Sequence, residues 1–155
     1  MGSDKENIFC QKAMYYCGYQ ERTEKEVHAK LRTWGVAQEK VVHIIQILKA
    51  ENFLNDERYV ASFIRGKLRD KRWGKRKLLA VLTEKGLDPI LIQEGLAAIE
   101  DMDYLQNLHY VADRKKRALV GVTSAQARQK LTNYLLQKGY EPDLVIQVVQ
   151  ETIVS

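Results

Sequence analysis

Three glycines recur at nearly constant spacing: Gly35, Gly86 and Gly139 stand 51 and 53 residues apart, and each follows a leucine, Leu31, Leu82 or Leu135, by four positions. A four-residue step keeps two side chains on one face of a helix. Glycine just past such a face suits the left-handed residue that ends a helix. In the second and third copies Pro89 and Pro142 follow, behind Asp88 and Glu141, where a proline fits the first position of a new helix. The stretches KLRTWGVAQEKVVHII from Lys30, VLTEKGLDPILIQEGL from Val81 and YLLQKGYEPDLVIQVV from Tyr134 therefore each read as helix, tight turn, helix.

A further helical segment precedes each pair, at 8–19, 56–71 and 103–120, giving three helices per unit. Thr23 with Glu26 forms a capping box for the second helix, Asn55 behind Phe53 and Leu54 caps the fourth, and Ser124 is the expected cap in the third unit. With 9 Gly and only 2 Pro the chain lacks the turn material of an all-β fold. The expected architecture is all-α: three tandem three-helix, helix-turn-helix-like repeats, at 1–54, 55–101 and 102–155, packed in an elongated, curved row. Units this small bury too little surface to stand alone, so neighbours are expected to pack together.

The net charge is only +5, but residues 58–86 hold ten Lys and Arg against two acids. Solvated faces normally mix signs, so this excess points to a polyanionic partner. On a helical wheel Arg58, Arg65, Arg69 and Arg72 share an arc of roughly 60°, opposite Tyr59, Val60, Phe63 and Ile64. An exposed face is the plain alternative for this stripe.

The stretch KRWGKRK, residues 71–77, adds Lys71, Arg72, Trp73, Gly74, Lys75, Arg76 and Lys77. With Gly74 as N-cap, Trp73 and Leu78 take the two positions of a hydrophobic staple, which makes the tryptophan structural, with base or partner stacking as the alternative. A glycine cap offers no side-chain acceptor, so the first N–H groups of the helix are expected to face an outside anion. Three cations in that first turn oppose the helix dipole, a local violation that suggests function. Arg114, Lys115, Lys116 and Arg117 form a second cluster that extends the surface.

No P-loop, G-x-G-x-x-G or G-x-S-x-G occurs. His28, His43 and His109 are dispersed, and with Cys10 and Cys17 they match no zinc spacing. The two cysteines, about 10 Å apart along a helix, read as reduced core thiols. Tyr15, Tyr16 and Tyr19 are expected to pack the first helix. Asp101 and Asp103 read as an acidic linker. The polar opening and the lack of a long apolar run predict a soluble, cytoplasmic protein with no membrane contact, no cofactor and no metal.

FLNDERYVASFI (53–64) followed by KRWGKRKLLAVLTEKGL (71–87) resembles the central signature of the RecX family, bacterial regulators of the RecA recombinase. RTEKEVHAKLRTWG (22–35) is similar to the family's Arg-Ser/Thr-x-x-Glu-Leu-x-x-x-Leu pattern, with Val27 in place of Leu, and YLLQKGYEPDLV (134–145) resembles its C-terminal repeat. Asn55 stands where the family commonly has Asp. The resemblance implies a non-enzymatic modulator, usually an inhibitor, lying in the groove of the RecA filament on single-stranded DNA. It would suppress strand exchange, ATP hydrolysis and RecA-stimulated cleavage by destabilising or capping the filament. The implied partners of this monomer are the RecA filament and single-stranded DNA, with double-stranded DNA as a further candidate. Whether the cations meet RecA carboxylates, DNA phosphates or both stays open. The competing reading is a stand-alone nucleic-acid-binding helical repeat protein, against which PILIQEGLAAI (89–99) is too apolar and acidic for a base-reading helix.

Overall fold

The computed structural model describes residues 2–154. Among them are nine helices and no strand: α1 (Gly2–Tyr19), α2 (Glu24–Thr33), α3 (Gln38–Ala50), α4 (Asp56–Asp70), α5 (Lys75–Glu84), α6 (Pro89–Ala97), α7 (Asp101–Ala118), α8 (Ser124–Gln137) and α9 (Pro142–Thr152). The expected all-α succession of three-helix units is present, with its marker residues in place. Leu31, Leu82 and Leu135 are fully buried, and Gly35, Gly86 and Gly139 have φ of 86°, 82° and 99°. Each such leucine contributes roughly 1.5–3 kcal/mol of transfer free energy.

The caps fall where the sequence places them except in the third unit, and at Thr23 only the cap side chain's half of the expected box with Glu26 is present. Asn55 accepts the Arg58 amide at 2.9 Å, and Thr23 accepts the Glu26 amide at 3.0 Å. In the third unit the cap is Thr123 rather than Ser124, and it forms a reciprocal box with Gln126. Gln126 supplies the side-chain acceptor that the Thr123 amide needs, at 3.0 Å, and this places the cap one residue earlier. Helix α4 stops at Asp70, with Lys71 as its C-cap, so Arg72 leaves the helix.

Two hydrophobic clusters form. The first belongs to α1–α3 and is built from Cys10, Ala13, Cys17, Val27, Leu31, Val41, Ile44 and Leu48. Both cysteines are free and buried, and burial is the largest cause raising each thiol pKa above its ordinary value. The second cluster runs without a break from Tyr59 through Leu82 and Leu108 to Ile153. The second and third repeats thus share one core.

A recurring joint links successive repeats through the start of each middle helix. The Glu24 amide at the start of α2 donates to Asp56 Oδ1 at 3.0 Å, and the Lys75 amide at the start of α5 donates to the Tyr104 hydroxyl at 2.8 Å. In each case the acceptor sits near the start of the next repeat's first helix. The turn glycine of that next repeat lies close by: a Cβ on Gly86 would come within 2.7 Å of Lys25 Cδ, and a Cβ on Gly139 would collide with Lys77.

Candidate polyanion-binding cleft

The joint between the second and third repeats overturns one expectation about KRWGKRK. Gly74 is indeed the N-cap of α5, without a side-chain cap. Its exposed donors are nevertheless taken from within. Gly74 N–H donates to Lys138 O at 2.8 Å, Lys75 N–H to Tyr104 as above, and Arg76 N–H to Gly139 O at 2.9 Å. The helix start is plugged by the α8–α9 turn and offers no amide nest to an outside anion. Glycine is required at 74 because a Cβ would fall on the backbone of Gly139 and Tyr140.

The arginine stripe also disperses, because its four members meet different neighbours. Arg58 is a joint residue: Nε pairs with Glu21 at 2.6 Å, and Nη1 donates to Asn52 O at 3.1 Å. Arg65 lines a different cleft, with Gly95, Glu100 and Asp103. Arg69 is exposed and holds Asp70 in a two-pronged contact at 2.9 and 3.2 Å. Arg72 adopts φ 51°, and its guanidinium lies 3.8 Å from the centre of the Tyr110 ring.

That turn of Arg72 creates the cationic site. A cleft of about 440 Å³ is lined by Lys71, Arg72, Arg114, Lys115 and Lys138, with Tyr110 and Tyr134 as its aromatic walls. Among the described residues the single acid on the rim, Asp70, is engaged by Arg69. Lys115 Nζ lies 4.7 Å from the Tyr134 ring centre, and Tyr140 donates its hydroxyl proton to Arg72 O at 2.7 Å, fixing the strained residue. Arg72 Nε is buried and has no hydrogen-bond partner among the described residues. The Lys138 ammonium is held below the ordinary lysine pKa, first by burial and then by repulsion from Lys77, Lys71 and Arg72. A polyanion placed there would relieve that repulsion.

The remaining expected residues are not part of this cleft's lining. Trp73 is half-buried rather than fully buried, edge-on to Phe63 at 6.2 Å, with Lys67 and Lys77 over its faces at 4.8 and 4.6 Å. Its structural reading fits this packing. Lys77 also lines an adjoining depression with Tyr134, Gln137 and Lys138, and Arg76 lines a further one with Gln137 and Pro142. The Lys75 ammonium lies over Tyr104 at 4.9 Å. Lys116 and Arg117 are exposed in the last turn of α7 but do not line the cleft.

Sequence reasoning missed Lys138, Tyr110 and Tyr134. Lys138 carried a signal, since it immediately precedes the turn glycine, as Lys85 and Trp34 do in the other repeats. The tyrosines had none, because only the fold brings α7 and α8 beside residues 71 and 72. No group of three or more His, Cys, Asp or Glu residues that could hold a metal occurs among the described residues. No helix among them is long and apolar enough to cross a membrane.

Models of the RecX first, second and third three-helix domains match residues 11–46, 55–96 and 102–149. Regulatory protein RecX of Bacillus licheniformis is 28% identical over 151 residues, covering 97% of this chain and 57% of the relative. The protein of the same name from Clostridium botulinum is 34% identical over 134 residues, covering 85% of this chain and 62% of its own length. The chain thus spans only about 57–62% of these relatives. The crystal structure of RecX from Lactobacillus salivarius superposes with a TM-score of 0.89 at 25% identity, covering 97% of both chains. Three matched domains in order and a shared fold over nearly the whole length carry one conclusion: this chain belongs to the RecX family.

Proposed function

We propose that the protein is a non-enzymatic, cytoplasmic regulator of the RecA recombinase. It acts as a monomer on the RecA filament formed on single-stranded DNA and suppresses strand exchange, ATP hydrolysis and RecA-stimulated cleavage. Family membership supports the regulatory role, since the relatives bear the name regulatory protein RecX. The observation that carries the binding reading is the convergence of Lys71, Arg72, Arg114, Lys115 and Lys138 on one cleft, where Asp70, the acid at its rim, is already paired. Cations held together against their mutual repulsion favour a polyanion, whether phosphates of the strand or carboxylates of the filament. The three repeats, at 1–54, 55–101 and 102–155, would act as the structural units of this surface.

The test is RecA's DNA-dependent ATPase with and without the protein, alongside a gel shift on DNA alone. Inhibition at concentrations that barely shift naked DNA is the expected result. A strong gel shift without inhibition would favour the stand-alone DNA binder, which the same cationic cleft also suits.

A further inference from the structure

The first repeat carries a second cleft, on residues that the cationic site does not use. It has a volume of about 530 Å³ and is walled by Ile8, Tyr15, Tyr19 and Trp34, with Lys12 and Arg22 at its edge. The sequence predicted that Tyr15, Tyr16 and Tyr19 would pack α1. Only Tyr16 is half-buried, whereas Tyr15 is 79% and Tyr19 77% exposed. They stand one helical turn apart, so their side chains project from the same face of α1. Two large aromatic side chains left that open, side by side on a concave surface, mark an interaction site.

The polar surroundings say what fits there. The Tyr16 and Trp34 rings are already covered by cations, with the Arg22 guanidinium 3.8 Å from the Tyr16 ring centre and Lys12 Nζ 4.5 Å from that of Trp34. Lys30 Nζ approaches the same two rings at 5.6 and 5.9 Å. Among the described residues no carboxylate lines the cleft. Two acids near it in sequence are engaged elsewhere, Glu6 with His43 at 3.1 Å and Glu21 with Arg58 at 2.6 Å. Fixed cations at the rim and open tyrosine faces inside are the combination that holds an unpaired strand, phosphates outside and bases stacked within.

The cleft of the third repeat supports the same assignment. Both clefts lie between the first helix of a repeat and the residue just before its turn glycine, Trp34 in one and Lys138 in the other. In the third repeat the aromatic faces are covered, Tyr110 by Arg72 and Tyr134 by Lys115, and cations predominate. In the first repeat aromatic side chains predominate.

We propose that the Tyr15–Tyr19–Trp34 cleft is a base-stacking site for single-stranded nucleic acid, distinct from the cationic cleft of the third repeat. This rests on the reading that single-stranded DNA is a partner. The cationic cleft supplies salt-dependent attraction to any polyanion, and the aromatic cleft supplies selectivity for unpaired strands, because a duplex hides the faces of its bases.

The experiment measures the affinity of the full chain for a fluorescently labelled oligothymidylate and for a blunt duplex of matched length, across a range of salt. Tyr15→Ala combined with Tyr19→Ala should weaken single-strand binding about tenfold or more. Melting temperature, duplex affinity and the slope of log affinity against log salt should stay unchanged, since no phosphate contact is lost. The corresponding Phe pair should restore binding. In a Trp73→Phe background, Trp34 becomes the only tryptophan, and its fluorescence should be quenched by the oligothymidylate.

Unchanged single-strand affinity in the double Ala variant overturns the proposal, as does an equal loss on single strand and duplex. Quenching of Trp34 by a glutamate–tyrosine copolymer but not by the oligonucleotide overturns it in favour of an acidic protein partner. RecA ATPase measured in parallel separates the two readings. Inhibition by a protein that binds no free strand overturns the stacking site and leaves the regulator. Stacking without any effect on RecA leaves the site and overturns the regulator.

Discussion

Gly74 and Gly139 meet backbone to backbone across the joint of the second and third repeats. They are held by Gly74 N–H to Lys138 O at 2.8 Å and Arg76 N–H to Gly139 O at 2.9 Å. Neither position has room for a Cβ. A corner that reads as an open anion site in the sequence is a closed structural lock.

Replacing Gly74 by Ala should therefore force the two backbones apart and strand the Gly74 and Arg76 amides, at a cost of about 3 kcal/mol or more. That corresponds to a fall of roughly 6–12 °C in melting temperature for a chain of this size. Gly35 is the control: it has φ 86°, but a Cβ there would meet nothing within 4 Å, so Gly35→Ala should cost only about 1–2 kcal/mol of left-handed strain. Equal destabilisation of the two variants in thermal melts would show that the lock contributes nothing of its own.

Tyr104 accepts the Lys75 amide at 2.8 Å and donates its own proton to Glu141, and Tyr140 lies beside it at a ring separation of 5.4 Å. Burial, the largest cause for both, pushes each phenol well above its ordinary pKa, and the Glu141 hydrogen bond adds to this for Tyr104. In the unfolded chain both ionise near pH 10. The folded state therefore binds more protons above that pH, and the contribution of these two phenols to stability, flat below about pH 10, should fall as pH rises toward the folded values. Spectrophotometric titration should show two of the 8 tyrosines ionising only on unfolding. Tyr104→Phe should make the alkaline decline shallower. It should also cost about 1–3 kcal/mol at neutral pH by leaving the Lys75 amide and Glu141 unpaired.

Arg58 ties the first repeat to the second through Glu21 and Asn52. The side chains of the pair are 37% and 34% exposed, so the ion pair itself contributes about 1 kcal/mol or less. Arg58→Ala should barely lower the melting temperature, yet it should speed amide exchange at the 51–55 connection, where Asn52 holds φ 62°. Polyanion affinity should not change. A marked loss of DNA or filament binding would return Arg58 to the binding surface.

Charge reversal separates the cleft from the dispersed stripe. Arg114→Glu and Lys115→Glu together should leave the fold intact, and each lost phosphate contact should reduce the magnitude of the single-strand salt slope by about 0.7. Inhibition of RecA should weaken with them. Arg65→Glu, placed near Glu100 and Asp103, should do neither. An identical effect of Arg65→Glu and the cleft pair would show that binding depends on net charge and not on the cleft.

The repeat was legible because it is local. A leucine four residues ahead of a glycine, a proline at a helix start and an Asn55 cap each act within one or two turns, and short-range sterics and hydrogen bonds decide them wherever the chain goes next. The all-α class, the buried Leu31, Leu82 and Leu135, the left-handed glycines and the general basic character of the middle of the chain all followed from the sequence. What failed was reasoning that extended local periodicity past its end. The helical wheel placed Arg72 on a stripe with Arg58, but α4 stops at Asp70, and two residues beyond a helix no longer share its face.

The tertiary structure decided which groups find partners at long range. The free donors of the α5 start are satisfied by Lys138 and Gly139, more than sixty residues on, and no property of KRWGKRK reveals that. The fold likewise chose the cations that converge, setting Arg72 on Tyr110 and bringing Lys138 beside Lys71, while it sent Arg58 to Glu21. Each residue carries its charge and local shape from the sequence alone. Electrostatics and close packing act through space, so where those charges add up waits on the packing of one repeat against the next.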